Sequence, residues 1–477
     1  MHLQRSAALR PIVALRLTIS ARILYSLSAR RLRTVHRKCL NDAWTVYRTD
    51  FKHGEVWHEV FTRTFMIRRF LSQIDPLTRR NFNLDFLSAG VFGLYAGLLM
   101  PFIVVIGIRL GASNLAVGLL SAAPCAASLL SFHWASVSQD RPKLPFVVWP
   151  NIIGQGLIVL VAFVASPWPY TAIIIAFWLI TSVPSAPYAG LMEAIYPADY
   201  RGRLLGYVRT AMAFCQLIAV FVAGPILDAL GYRIAFPIAA GLGVLSSVIF
   251  ARVKEPASDS PRGYRRTGLV SQMRLLKEDR AFALWELGFF IFGVGNLSLA
   301  PLYPIFQVKY LGLSNAQVGI VAALWAAAWM VAYPVWGSLV DRRGPGKAII
   351  ASVVLFGACG LSYFFGQSLP AVLLASVFSG VGEAAIDIGW MNECMKLAPG
   401  RVSLYSGVHL TLLGVRGTIG PLLGSALAPL LGLTNAILVG ALVLLLGLAP
   451  MLLALKREDR EGRRVPGGNH SLRPSAV

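Results

Sequence analysis

Twelve apolar stretches follow one another through this 477-residue chain. Each is near the ~20 residues that a hydrocarbon core demands of one helix. They run at roughly 86–108, 115–137, 144–165, 168–190, 207–227, 232–253, 282–306, 316–340, 348–366, 369–391, 404–430 and 433–455. A bilayer gives a backbone amide no partner, so each stretch is expected to be a helix that satisfies its own hydrogen bonds. Composition agrees. Hydrophobic residues make up 56% of the chain and charged residues 14%, against roughly 25% charged in a soluble domain. The expected fold class is all-α and integral to the membrane, with twelve transmembrane helices. A disordered chain is excluded and a soluble multidomain enzyme disfavoured.

The basic residues set an orientation. With the N-terminus in the cytoplasm, the inner loops hold 18 Lys and Arg and the outer loops only Arg109, Arg233 and Lys309. Positive charge stays inside, so both termini are expected to be cytoplasmic. The net charge of +22 is spread over loops and termini rather than gathered in a basic domain with interleaved aromatics, so nucleic acid is not an expected partner. The bilayer is. The longest inner connection, 254–281, divides the spans six and six. It is read either as a solvated linker or as carrying an amphipathic stretch around Leu269–Leu276 at the interface.

The two halves repeat each other. Residues 110–118 read LGASNLAVG and 311–319 read LGLSNAQVG, matching at six of nine positions with an offset of 201. That offset also carries Asp85 onto Glu286 and Asp140-Arg141 onto Asp341-Arg342, while an offset of 200 carries Glu193 onto Glu393 and Arg201 onto Arg401. Repeated halves with a substrate site between them near the midplane are a transporter architecture. The expected domains are a basic N-terminal extension (1–80), a six-helix bundle (81–253), a linker (254–281), a second six-helix bundle (282–455) and a cytoplasmic tail (456–477).

Between spans eight and nine the chain reads GSLVDRRGPGK. Gly337, Asp341, Arg342, Gly344 and Lys347 resemble the cytoplasmic-loop signature of the major facilitator superfamily. Glycine there permits a tight turn and close helix approach, and Asp341 is expected to cap the next helix or pair with a basic partner as a breakable latch. The matching first-half loop keeps Asp140 and Arg141 but lacks the glycines. Between spans four and five, EAIYPADYRGRLLG is similar to a second signature of that superfamily. Glu193 and Arg201, and Glu393 and Arg401 in the second half, are expected to form a conformation-sensitive charge network. The resemblance covers about 82–455. It implies two bundles rocking around a central cavity lined by spans one, four, seven and ten.

Substrate clues lie in the polar residues inside the spans. A charge at the bilayer centre costs about 2.5–3.5 kcal/mol on insertion scales, so such residues usually face a cavity. Glu383 and Asp387 stand four apart on span ten, hence on one face. At about 6 Å they repel by about 3 kcal/mol at an effective dielectric near 20, so one is expected to hold a proton and to couple transport. Arg416 and His409 on span eleven and Asn296 on span seven complete the coupling and cavity candidates, with Gln155 and Gln216 as further hydrogen-bonders. Asp85 and Glu286, near the starts of spans one and seven, read as interfacial. Trp325 and Trp329 read as lipid-facing or packing residues. Gly224-Pro225 and the run Gly414, Gly417, Gly420, Gly424 resemble the glycine–proline motif of proton-driven drug exporters, and close helix packing explains them as well.

No phosphate-binding GxxxxGK[ST] loop occurs, so ATP is not the expected energy source. No cofactor or metal is expected, and the five cysteines include no CxxC pair. Residues 1–41 carry nine basic residues and no acid, which fits a transit peptide; Met66 opens an alternative start, and an overextended start is the preferred reading. The expected activity is non-enzymatic: proton-coupled movement of a small molecule through the plasma (inner) membrane by a monomer, leaning to efflux. The alternatives are a proton-coupled uptake permease and a transport-inactive assembly factor or scaffold.

Overall fold

The computed structural model describes residues 74–138, 141–197, 199–256, 269–397 and 402–464. Asp140, Arg401, the extension before residue 74 and the tail beyond 464 lie outside the described residues, and so do the expectations placed on them. From Pro76 onward the chain forms one compact unit. Twelve of its helices are long and apolar enough to cross a membrane: Pro76–Arg109, Asn114–Val137, Lys143–Phe163, Pro167–Ile195, Arg201–Leu230, Tyr232–Phe250, Arg280–Tyr310, Asn315–Arg343, Pro345–Gly366, Leu369–Leu397, Leu404–Leu431 and Leu433–Arg457. They are numbered one to twelve below. Among the described residues no strand occurs.

Several helices outrun their apolar stretches. Span one starts at Pro76 rather than near 86, and span four continues to Ile195. Hydropathy ends where charge begins, whereas backbone hydrogen bonding continues to the first residue that cannot donate, and proline is such a residue. The first spanning helix therefore begins at Pro76. The last helix, Leu448–Arg464, likewise carries the chain into what the sequence marks as tail.

The repeated LGxSN segment proves to be a turn-and-cap device. Gly111 and Gly312 take φ of +85° and +63°, a region closed to most side chains. Ser113 then accepts from the Ala116 amide and Ser314 from the Gln317 amide, the latter within a full capping box. Proline repeats as well: span one passes through a 3-10 turn at Met100–Phe102, and span seven breaks at Pro301.

Each half has its own core. Tyr95, Phe102, Tyr170, Phe177 and Phe236 centre the first, and Trp285, Phe289, Phe292, Phe356 and Leu444 the second. Buried polar ties hold each half. Ser88 Oγ bonds the Ser246 carbonyl at 3.0 Å, Ser247 donates to Gln155 at 2.9 Å, and Gln307 donates to Tyr363 at 2.7 Å. Gln155 is thus a packing tie within the first half, not a cavity group.

The halves meet through spans two and eleven and through spans five and eight. Small residues allow the approach. Gly118 abuts Ser425, and Gly224 abuts the backbone of Asn315 and Ala316. This packing lies at the sparsely charged end, the end carrying Arg109, Arg233 and Lys309. Toward the basic end the halves part. On one stripe of span five, Val220 and Gly224 are buried against span eight, while Thr210, Gly206 and Gly202 are exposed. The result is a cleft open at the basic end.

The linker contains a helix, Leu269–Glu278. Its Leu275 is buried with Phe282, Cys394, Tyr405 and Val408, so this part of the linker docks on the second half rather than floating in solvent. Asp279 ends it, accepting from the Phe282 amide at 2.9 Å and from Tyr405 Oη at 2.8 Å.

Span eleven offers a direct test of small-residue packing. A Cβ at Gly424 would fall inside the contact radius of the Ser298 carbonyl on span seven, which is backbone and cannot swing away. Gly424→Ala should cost about 1–3 kcal/mol by overpacking, read as a lower Tm of the detergent-purified protein. Gly206→Ala, with open space at its Cβ, should leave Tm unchanged.

Candidate functional site

Span ten sets the chemistry of the cleft. Its Gly380 packs on Trp325 and Ala328 of span eight, its Gly382 and Gly389 pack on span nine, and Leu374 on the far side is half exposed. Those contacts leave one inward stripe, on which Glu383, Asp387 and Trp390 follow at four and three residues. Asp387 accepts from the Trp329 indole at 2.9 Å. Glu383 is half-buried, and among the described residues neither carboxylate has an ion-pair partner.

Span eight lines the carboxylates with aromatic rings. Trp325 and Trp329 stack in parallel at 6.3 Å, and Tyr333 meets Trp329 edge-on at 5.5 Å. The two tryptophans therefore pack toward span ten, with a polar link, rather than toward lipid.

His409 and Arg416 do not join this pair. They face span seven. His409 Nδ1 lies 3.0 Å from Glu286 Oε1, with both side chains 4% exposed. Arg416 donates to the Phe289 carbonyl and lies over the Phe289 ring at 5.5 Å. Asn296 is partly buried on the same span and makes no hydrogen bond among the described residues. Glu286 and Asp85 are buried between helices: both are 3% exposed, and Asp85 accepts from Tyr196 Oη at 2.7 Å.

The loop residues divide. Gly344 has φ of +85° and makes the sharp turn into span nine, whereas the space at Gly337 is open, so close approach does not explain it. Asp341, Arg342 and Lys347 are exposed, and Asp341 caps no helix: span nine starts without a side-chain cap. Arg201 donates to the carbonyls of Tyr196 and Glu193, closing the turn between spans four and five. Glu393 is buried and lies 3.4 Å from Lys396. Arg141 is exposed.

Three contacts escaped sequence reasoning. Glu255 caps span three, accepting from the Lys143 and Leu144 amides at 2.9 Å each. At the sparsely charged end, Asp228 of span five accepts from the Asn315 and Ala316 amides at 3.1 and 2.8 Å, capping span eight across the two halves. Arg109 reaches across as well, donating to Asn315 Oδ1 at 2.9 Å and to the Leu313 carbonyl at 2.6 Å. A signal for Trp390 was present, since it completes the stripe of Glu383 and Asp387. None pointed to Asp228, whose partners are backbone amides 87 and 88 residues away.

Comparison with known proteins agrees at the level of fold and family. The profile described as Major Facilitator Superfamily matches residues 86–310 and 285–476. Multidrug resistance protein MdtG of Enterobacter lignolyticus (strain SCF1) is 24% identical over 400 residues, spanning 80% of this chain and 93% of its own. Its namesake in Escherichia coli (strain 55989 / EAEC) is 23% identical over 408 residues, spanning 81% and 96%. Among solved structures, a bacterial homolog to the human lysosomal transporter Spinster, inward-facing and occupied, superposes with a TM-score of 0.65 at 15% identity, over 80% of this chain and 98% of its own. The nucleoside transporter NupG gives 0.60 at 13% identity, over 80% and 100%. These two likenesses concern the fold alone.

The cross-half cap is open to test. Asp228→Ala removes a charge-assisted cap worth about 1.5–3 kcal/mol. Deuterium exchange of the 313–319 segment should then speed up by about tenfold or more, and unchanged exchange would show that the cap does not hold that end shut.

Proposed function

Because the chain belongs to the major facilitator superfamily and is a multi-pass membrane transporter, we propose that it is a proton-coupled secondary transporter that exports a small, largely apolar cation by alternating access. The basic end faces the cytoplasm, as the charge distribution favours. In that orientation the cleft is open to the cytoplasm, the state that loads an export substrate. The two bundles then rock about the cleft, opening the sparsely charged end as the Asp228 and Arg109 contacts release.

One observation carries the substrate class. Two cleft carboxylates stand one helical turn apart without a cationic partner among the described residues, Asp387 bonded to the Trp329 indole within the Trp325, Trp329 and Tyr333 aromatic row. Carboxylates and aromatic faces both attract positive charge, and the rings favour an apolar body. An anion is repelled there. Protons and the organic cation compete for Glu383 and Asp387, and this competition couples their movement. Asp387 is held by Trp329, so Glu383 is the freer proton carrier. The name multidrug resistance, borne by the MdtG relatives, fits export better than uptake.

Everted membrane vesicles with an acidified lumen test this. Hydrophobic ammonium compounds should collapse the pH gradient with wild-type protein and fail to do so with Glu383→Gln at equal expression. Neutral compounds of matched size should give no collapse. Full activity of Glu383→Gln, or collapse by the neutral compounds alone, would overturn the proposal.

A further inference from the structure

We propose that the Glu286–His409 couple is a second proton-binding site, separate from the cleft carboxylates and screened from them by the indole of Trp390. The proposal stands whatever the cleft carries.

The couple is built for a proton rather than for packing alone. Its 3.0 Å contact needs one proton between Nδ1 and Oε1. The other carboxylate oxygen, Glu286 Oε2, is buried and has no hydrogen-bond partner among the described residues. A buried carboxylate left so poorly matched is costly. Among the described residues, the groups facing it include no permanently charged cation at ion-pair distance. From span ten come Trp390, Cys394 and Glu393, the last held by Lys396 at 3.4 Å. From span eleven come His409 and, further along, Arg416, which is committed to the Phe289 carbonyl and adds positive charge toward Glu286 from beyond ion-pair distance. Nearby, Tyr405 is committed to Asp279. The imidazole is the group in direct contact with Glu286 that can gain a charge, once Nε2 takes a proton while Nδ1–H keeps its bond to Oε1.

Two rings enclose the imidazole. Trp390 lies flat against it, centroids 5.0 Å apart and planes 11° apart, and Phe289 stands edge-on at 4.9 Å.

The internal repeat gives an independent argument. Glu286 corresponds to Asp85 at the offset of 201, and His409 corresponds to Arg209 at the offset of 200. In the first half the carboxylate accepts from Tyr196 at 2.7 Å, and the permanently charged Arg209 lies over the Tyr188 ring at 5.8 Å. The second half thus carries a titratable cation where the first carries a fixed one. Protonation turns its contact into an ion pair and ties span eleven to span seven. Because Trp390 follows Asp387 on the cleft stripe, its indole forms the partition between couple and cleft.

Trp390 also supplies the readout, since a protonated imidazole quenches an indole stacked on it. Full-length protein in lipid nanodiscs would be titrated between pH 5 and 8, and the emission of Trp390→Phe subtracted from that of wild type. The difference signal should fall in one step on acidification. It should be lost in His409→Gln (measured against His409→Gln/Trp390→Phe) and be retained in Glu383→Gln. Histidine-labelled wild-type protein provides a check free of substitutions, with one imidazole ¹⁵N resonance moving together with the emission step. A wild-type signal flat across that range, or a step that survives His409→Gln, would overturn the proposal.

Discussion

Hydrocarbon offers no hydrogen-bond partner, so a polar side chain in a span must be satisfied by the protein itself. This constraint shows in the polar residues of the two bundles. Several are matched neighbour to neighbour within a half: Ser88 with Ser246, Gln155 with Ser247, Asp85 with Tyr196, Gln307 with Tyr363. Glu383 and Asp387 have no ion-pair partner among the described residues. Apolar burial cannot drive helix association in lipid. Close approach does so instead, as where Gly288 meets Gly447 and Gly295 meets Gly440 within the second half.

The two halves share their mechanics and differ in their chemistry. Turns and caps repeat faithfully, because a positive-φ glycine followed by a serine cap is the same solution to the same problem at 111–113 and at 312–314. The charged interior repeats only in part: Asp85 matches Glu286 and Glu193 matches Glu393. Glu383 and Asp387 on span ten, and the buried His409 and Arg416 on span eleven, have no charged equivalents at those places in the first half apart from Arg209. One bundle reads as frame and the other as working part, and the docked linker helix adds to the second.

Much of this was legible in the sequence, for identifiable reasons. Apolar length gave away the spans, because the bilayer punishes any interruption. Spacing placed Glu383 and Asp387 together, because four residues make one turn. Helix ends were misjudged, since hydropathy stops at the first charge and hydrogen bonding does not. The partners of Glu286 and Asp85 were not legible because depth along a span says nothing of the group waiting on another helix, and those partners lie 123 and 111 residues away. For Trp329, period alone left a lipid face and a neighbour's face open, and packing is what occurs. Asp228 was invisible because backbone amides have no sequence.

Span eleven carries glycines at two levels with different neighbours. Gly420 and Gly424 meet the backbone of Leu297 and Ser298 in their own half, while Gly414 and Gly417 meet the side chains of Leu129 and Cys125 in the other. The first contact is stiff, because backbone cannot yield. The second is yielding: a leucine tip and a thiol can shift aside. Span eleven is therefore fitted rigidly to its own bundle and compliantly to the opposite one, so added side-chain volume would be absorbed between the halves and not within the second half.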